Sequence, residues 1–213
     1  KGRSEDAILL MKKAISLDSR NVWYQLMMAD LYKKTRQFDQ VIEIFKNLTA
    51  QYPDKIDYYY DLALSYIITG DYKEAINVYD QLEEKLGITE EISLQKQKLY
   101  LNMDKPGKAL QEVERLVEAH PFNSRYLQIL AESYMSGGKD DRALEVYEKI
   151  AEIDPENPYI RISLSDYYRR QGNEEKAFEQ LKIGFANPGL DLDSKIQVLL
   201  SYYTVDQFYN EKK

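Results

Sequence analysis

The sequence predicts an all-α fold, a solenoid of stacked antiparallel helix pairs with a 34-residue period. Three observations predict it. Tyr32, Tyr66, Tyr100, Tyr134, Tyr168 and Tyr202 each stand 34 residues after the last. Two further series keep that step without insertion or deletion: Ala7, Val41, Ala75, Ala109, Ala143, Ala177, and Met11, Phe45, Tyr79, Val113, Tyr147, Leu181. Stop residues recur in phase with them, at Ser19, Pro53, Gly87, Pro121, Pro155 and Gly189.

Each period holds two helices. Tyr59, Leu62, Ala63 and Tyr66 recur at helical three- and four-residue steps, Gly70 interrupts, and Ala75, Ile76, Tyr79 and Leu82 resume the pattern. Gly2, Gly70, Gly138 and Gly172 share the interruption, where a left-handed helix cap suits a residue without Cβ. Pro53, Pro121 and Pro155 end the second helix, because proline lacks the N–H that would extend it.

In chain order the expected elements are a half repeat at 5–21, full repeats at 22–55, 56–89, 90–123, 124–157 and 158–191, and a half repeat at 192–213. The first half repeat reads as a second helix through Ala7, Met11 and Ala14. The last reads as a first helix through Val198 and Tyr202. Starting and stopping mid-repeat provides no polar capping unit, so the array is expected to be a fragment of a longer chain. Repeat three is irregular. Lys96 and Gln97 stand where other repeats carry large apolar and small residues, and its turn is Asp104-Lys105-Pro106-Gly107. The favoured reading is a tolerated polar substitution with the Lys96 stem snorkelling along the helix; the other is a softer joint between the two halves.

Composition excludes several function classes. With 44% apolar and 31% charged residues the chain can bury a core, and disorder is a poor reading. No cysteine and one histidine rule out disulfides, thiolate or His-based metal sites and a cysteine nucleophile. A net charge of −7 disfavours nucleic acid, which needs a basic face. No apolar run is long enough for a membrane helix. The nucleotide, nucleophile-elbow, zinc-protease and calcium-loop patterns do not occur. Gly137-Gly138-Lys139 is an inter-helix turn, and His120 in Ala-His-Pro-Phe lacks the positioned partner a general base needs. Neither catalysis nor a cofactor is expected.

On these residues the chain resembles the tetratricopeptide repeat (TPR) family throughout its length. Repeat two carries most of the pattern, with Tyr59, Leu62, Ala63, Tyr66, Gly70, Tyr72, Ala75, Tyr79 and Leu82. The resemblance implies a right-handed superhelix whose concave face is lined by first helices and holds a partner protein. In the family the second, fifth, ninth, twelfth and thirteenth positions, and often the sixth, face that groove. Carried over, they give the candidate partner-binding residues Tyr60, Leu64, Ile67, Leu94, Lys98, Leu101, Arg125, Glu132, Met135 and Arg169. Taken over all five full repeats, those family positions carry six acids and six bases, so the groove is nearly neutral. The clamp by which some members hold chaperone carboxylates is absent, because its positions carry Leu26, Asp30, Asp61, Glu91 and Gln95.

The stripe of Tyr60, Leu64, Ile67, Leu94, Leu101 and Met135 suits an extended peptide or an amphipathic helix, or else packs between helices. Trp23 could anchor a ligand, but is read here as cover for Leu10, Met11 and Ala14. The expected function is a non-catalytic interaction scaffold; the alternative is a structural or self-associating spacer joined through the open half repeats. The Tyr-, Lys- and Asp-rich style reads as bacterial, and the expected location is the cytoplasm or a bacterial envelope.

Overall fold

The structure, a computed structural model, describes residues 2–155 and 157–202. Among them every regular element is helical. α1 (Gly2–Leu17) stands alone and is followed by five pairs: α2 (Val22–Lys34) with α3 (Phe38–Gln51), α4 (Ile56–Thr69) with α5 (Tyr72–Leu86), α6 (Glu90–Asn102) with α7 (Pro106–Ala119), α8 (Ser124–Ser136) with α9 (Asp140–Ile153), and α10 (Pro158–Arg170) with α11 (Glu174–Ala186). α12 (Leu192–Tyr202) closes the described chain. The side chain of Tyr202, sixth in the tyrosine series, and residues 203–213 of the last expected half repeat lie outside the described residues.

The turn inside each pair is built the same way. At Arg36, Gly70, Asp104, Gly138 and Gly172 the backbone is left-handed, with φ of 58°, 85°, 55°, 68° and 72°. The next N–H then reaches back to the carbonyl of the periodic tyrosine, as in Gln37 N to Tyr32 O and Lys105 N to Tyr100 O, both 2.9 Å. The left-handed residue's own N–H bonds three residues back, as in Gly70 N to Ile67 O at 3.2 Å. These paired bonds satisfy carbonyls that a helix end leaves open. The glycine expectation therefore holds at positions 70, 138 and 172. Gly2 instead begins α1.

First helices start on side-chain caps. Asn21, Asn123 and Asn157 accept the N–H of Trp23, Arg125 and Tyr159, and Thr89 accepts that of Ile92. Such caps satisfy an orphan donor of the first turn. Lys55 holds the same place before α4 and makes no side-chain cap.

The chain forms two compact units, residues 1–112 and 113–213. The core of the first is Met28, Ala29, Tyr32, Val41, Phe45, Leu48, Tyr59, Leu62, Ala63, Ala75, Tyr79, Leu82, Ile92 and Leu99, all buried. In the second, Val113, Leu116, Leu127, Leu130, Ala131, Tyr134, Ala143, Tyr147, Ile150, Ile160, Leu164 and Ala177 are buried. These include the periodic residues, whose apolar surface drives the stacking. Gly184 takes the place that Leu48, Leu82, Leu116 and Ile150 hold in other repeats. A Cβ there would lie 3.0 Å from Ile162 Cδ1 and 3.1 Å from Arg161 Cβ, so α11 approaches α10 closely.

Lys96 corrects the snorkelling expectation. It is only 2% exposed, and its Nζ lies 2.7 Å from Asp80 Oδ1, 2.7 Å from Glu83 Oε2 and 3.0 Å from Glu112 Oε2. Burial pulls its pKa down, but hydrogen bonds to Asp80, Glu83 and Glu112 outweigh that and raise it. The charge does not reach for water; carboxylates from α5 and α7 meet it inside.

Candidate functional site

In the first unit the first helices α2, α4 and α6 meet through polar pairs at the carried-over positions. Lys33 pairs with Asp61, linking α2 to α4, and lies 4.9 Å above the Phe45 ring. Tyr60 Oη donates to Glu91 Oε2 at 3.3 Å, linking α4 to α6. Its ring stands edge-on to Tyr79 at 6.4 Å. Burial, then the Glu91 charge, raises the Tyr60 pKa. Lys34 pairs with Asp30 at 2.6 Å. The charges of repeats one and two are thus largely spent within the face.

Four apolar side chains remain open there beside the charged ones. Leu64 and Leu101 are about half exposed, as are their neighbours Met27 and Ile68. Ile67 packs partly against the core, Leu94 is half-buried and Lys98 is exposed. Trp23, expected to cover α1, is 75% exposed. α1 reaches the core instead through Ile8, Met11 and Ile15, which leaves no work for an indole cover.

In the second unit side chains of α8, α9, α10 and α12 line an open cleft of about 570 Å³. Glu132, Met135 and Arg169 line it, together with Ser136, Tyr147, Ile162, Ser163, Asp166, Arg170, Val198 and Ser201. Arg125, exposed at the start of α8, is not among them. Asp166 accepts from Arg169 Nη2 at 2.6 Å and from Arg170 Nε at 2.9 Å. Glu132 accepts from Gln128 Nε2 at 3.0 Å. Burial pushes the Tyr147 hydroxyl up to about 12, with the Glu132 charge adding to the shift.

Sequence reasoning missed a third feature, an open cleft of about 700 Å³ in the first unit beside α1, α2 and α3, lined in part by Arg20, Gln40, Glu43, Asn47 and Tyr52. No motif marks it, because its residues are ordinary for a helix surface. His120 is exposed and stands edge-on to Tyr126 at 5.5 Å. Among the described residues no cluster of three or more His, Cys, Asp or Glu could hold a metal ion, and no helix is long and apolar enough to cross a membrane.

Among solved structures the chain is similar to YrrB, described as a TPR protein with an unusual peptide-binding site, at a TM-score of 0.54 and 18% identity over 88% of this chain and 96% of that one. It is similar to MamA at 0.53 and 19%, over 78% and 91%. MamA from Desulfovibrio magneticus RS-1 gives 0.52 and 17%, over 78% and 94%. At such identities the likeness is one of fold. No curated protein matches the sequence. Three tetratricopeptide repeat models match residues 1–66, 56–84 and 96–158. With those matches added to the phased helix pairs and their shared turns, the chain belongs to the tetratricopeptide repeat family.

Proposed function

We propose that the chain is a non-catalytic protein-interaction scaffold whose first-helix faces hold an extended peptide or an amphipathic helix of a partner protein. Repeat proteins of this family are generally non-catalytic scaffolds. The carrying observation is the exposed apolar set Met27, Leu64, Ile68 and Leu101 on α2, α4 and α6, set among side chains already paired with one another. Such a face gains by burying apolar area, and its charges keep their own partners when a ligand lies beside them. The peptide-binding site of YrrB gives the reading a precedent on the same fold. The test is capture of partners from the source organism by the wild-type chain and by a Leu64→Ser, Leu101→Ser variant with an unchanged circular-dichroism spectrum. A partner retained by the wild type and lost by the variant supports the face; a partner held equally by both refutes it.

The second reading, a self-associating spacer, is favoured by Leu9, Leu10 and Leu17 on α1, all largely exposed. Sedimentation velocity across a wide concentration range separates the two: a strict monomer removes self-association.

A further inference from the structure

The open cleft beside α1, α2 and α3 has one wall that no other second helix repeats. Gln40, Asn47 and Gln51 of α3 all line it. Steps of seven and four residues keep the three within about 20° of one line along a helix. Every other repeat puts a charge at the place of Gln40, as Asp6, Glu74, Lys108, Arg142 and Lys176. Single amides are ordinary on a helix surface; a straight, uncharged row of three along a cleft is not.

All three side chains are exposed, and among the described residues none of them makes a hydrogen bond. Gln25 on the α2 side, by contrast, donates to Ser19 O at 2.9 Å. A primary amide carries two donors and a carbonyl acceptor in one plane, the same groups that a peptide bond offers. A strand residue presents its N–H and C=O along one edge, and the next such residue lies two places on, about 6.6 Å away. Asn47 and Gln51 are one helical step of about 6 Å apart. Three edge residues of a strand cover about 13 Å and the whole row about 16 Å, a difference that the longer Gln side chains can close. The cleft's lining holds one base, Arg20, and one acid, Glu43, so its net charge selects neither sign. Ile15, Met28 and Ile44 add apolar lining.

We propose that this cleft holds the main chain of an extended, uncharged segment of a partner protein, bonded through its N–H and C=O groups to the amides of Gln40, Asn47 and Gln51. Hydrogen-bond complementarity selects the occupant. A helix cannot use the row, because its backbone groups are already bonded to one another, whereas an extended chain has a free edge. Apolar side chains on the inner face of that chain meet Ile15, Met28 and Ile44. The surface is separate from Leu64 and Leu101, and the proposal does not rest on the reading of the first-helix faces.

The probe is acetyl-Thr-Val-Thr-Val-Thr-amide, titrated into the full chain while side-chain NH2 and backbone amide resonances are followed. The expected result is a saturable response of the Gln40, Asn47 and Gln51 NH2 pairs and of the Ser19 and Ile44 amides. The same peptide N-methylated at every residue keeps its side chains but loses its main-chain donors, and should give none. Asn47→Ala with Gln51→Ala should weaken binding at least about tenfold, read from the Gln40 NH2 pair and the Ser19 amide. Gln81→Ala, at the phase of Asn47 on α5, should leave binding unchanged. These are exposed helix positions where alanine suits the helix, so circular dichroism should match the wild type. No saturable response, an equal response to the N-methylated peptide, or full affinity in the double variant would overturn the proposal. Shifts centred on Leu64 and Leu101 would overturn this cleft as the site and support the first-helix face instead.

Discussion

Lys96→Met removes a buried cation while keeping most of the side chain's length and apolar stem. The wild-type Nζ sits within 3.0 Å of three carboxylates, of which Glu83 and Glu112 are 11% and 9% exposed and Asp80 is 51% exposed. Removing one partner from a buried ion pair costs about 3–5 kcal/mol, because the remaining charge stays out of water. The lower end applies here: Asp80 can turn to solvent, and Glu83 and Glu112 keep other interactions. A loss of about 3 kcal/mol is large beside a domain stability of about 5–15 kcal/mol. Repeat arrays can unfold in parts, so urea titration should be joined by hydrogen exchange, with the loss expected in α5, α6 and the start of α7. A second variant isolates the cause. Other repeats carry Leu62, Val117 and Val78 where this cluster has Lys96, Glu83 and Glu112. Lys96→Leu with Glu83→Val and Glu112→Val should therefore recover much of the stability lost by Lys96→Met. A cost under about 1 kcal/mol for the single variant, or a triple variant weaker than the single, would refute the buried-charge argument.

Arg36→Gly should stabilise by about 1 kcal/mol, since Arg36 holds a left-handed φ of 58° in a turn where glycine bears no Cβ cost; an unchanged urea midpoint would count against this. Gly184→Ala should destabilise by about 1 kcal/mol despite better helix propensity, because the new Cβ meets the Arg161 Cβ at 3.1 Å and the Pro158 carbonyl at 3.3 Å. Thermal unfolding reads the sign directly. Burial pushes Tyr79 and Tyr147 up to about 12. The folded state therefore holds their protons more tightly than the unfolded state, where tyrosine titrates near ~10. Their contribution is complete below that value and is lost as pH climbs toward about 12. Tyr79→Phe should flatten the alkaline fall in stability over that window, and an identical slope would contradict the assignment.

The period was legible because it is written in several independent series at once, so the helix pairs, the shared turn and the apolar core could be read from spacing. Lys96 was visible as an exception, but its direction was not. Asp80, Glu83 and Glu112 lie on two other helices, and no local pattern says that they converge. Asp104 was legible as the start of an irregular turn, and Arg36 shares the 34-residue phase of Gly70, but neither residue type signals a left-handed φ as glycine does. The cap series, Asn21, Thr89, Asn123 and Asn157, was missed for the same reason: it mixes residue types with one job. At the candidate site, spacing alone could not divide Tyr60 and Ile67, partly built into the fold, from Leu64 and Leu101, which remain open. Trp23 misled because its size suggested a lid that Ile8, Met11 and Ile15 make unnecessary.

The most direct test of the account is site-specific photocrosslinking in the source cells, with the reactive residue placed in turn at Leu64, at Leu101 and at the exposed Asn77 of α5. A partner segment held by the first-helix face predicts that positions 64 and 101 crosslink to one stretch of one protein and that position 77 does not. Crosslinks from position 77 alone would contradict it and move the binding surface to the second helices.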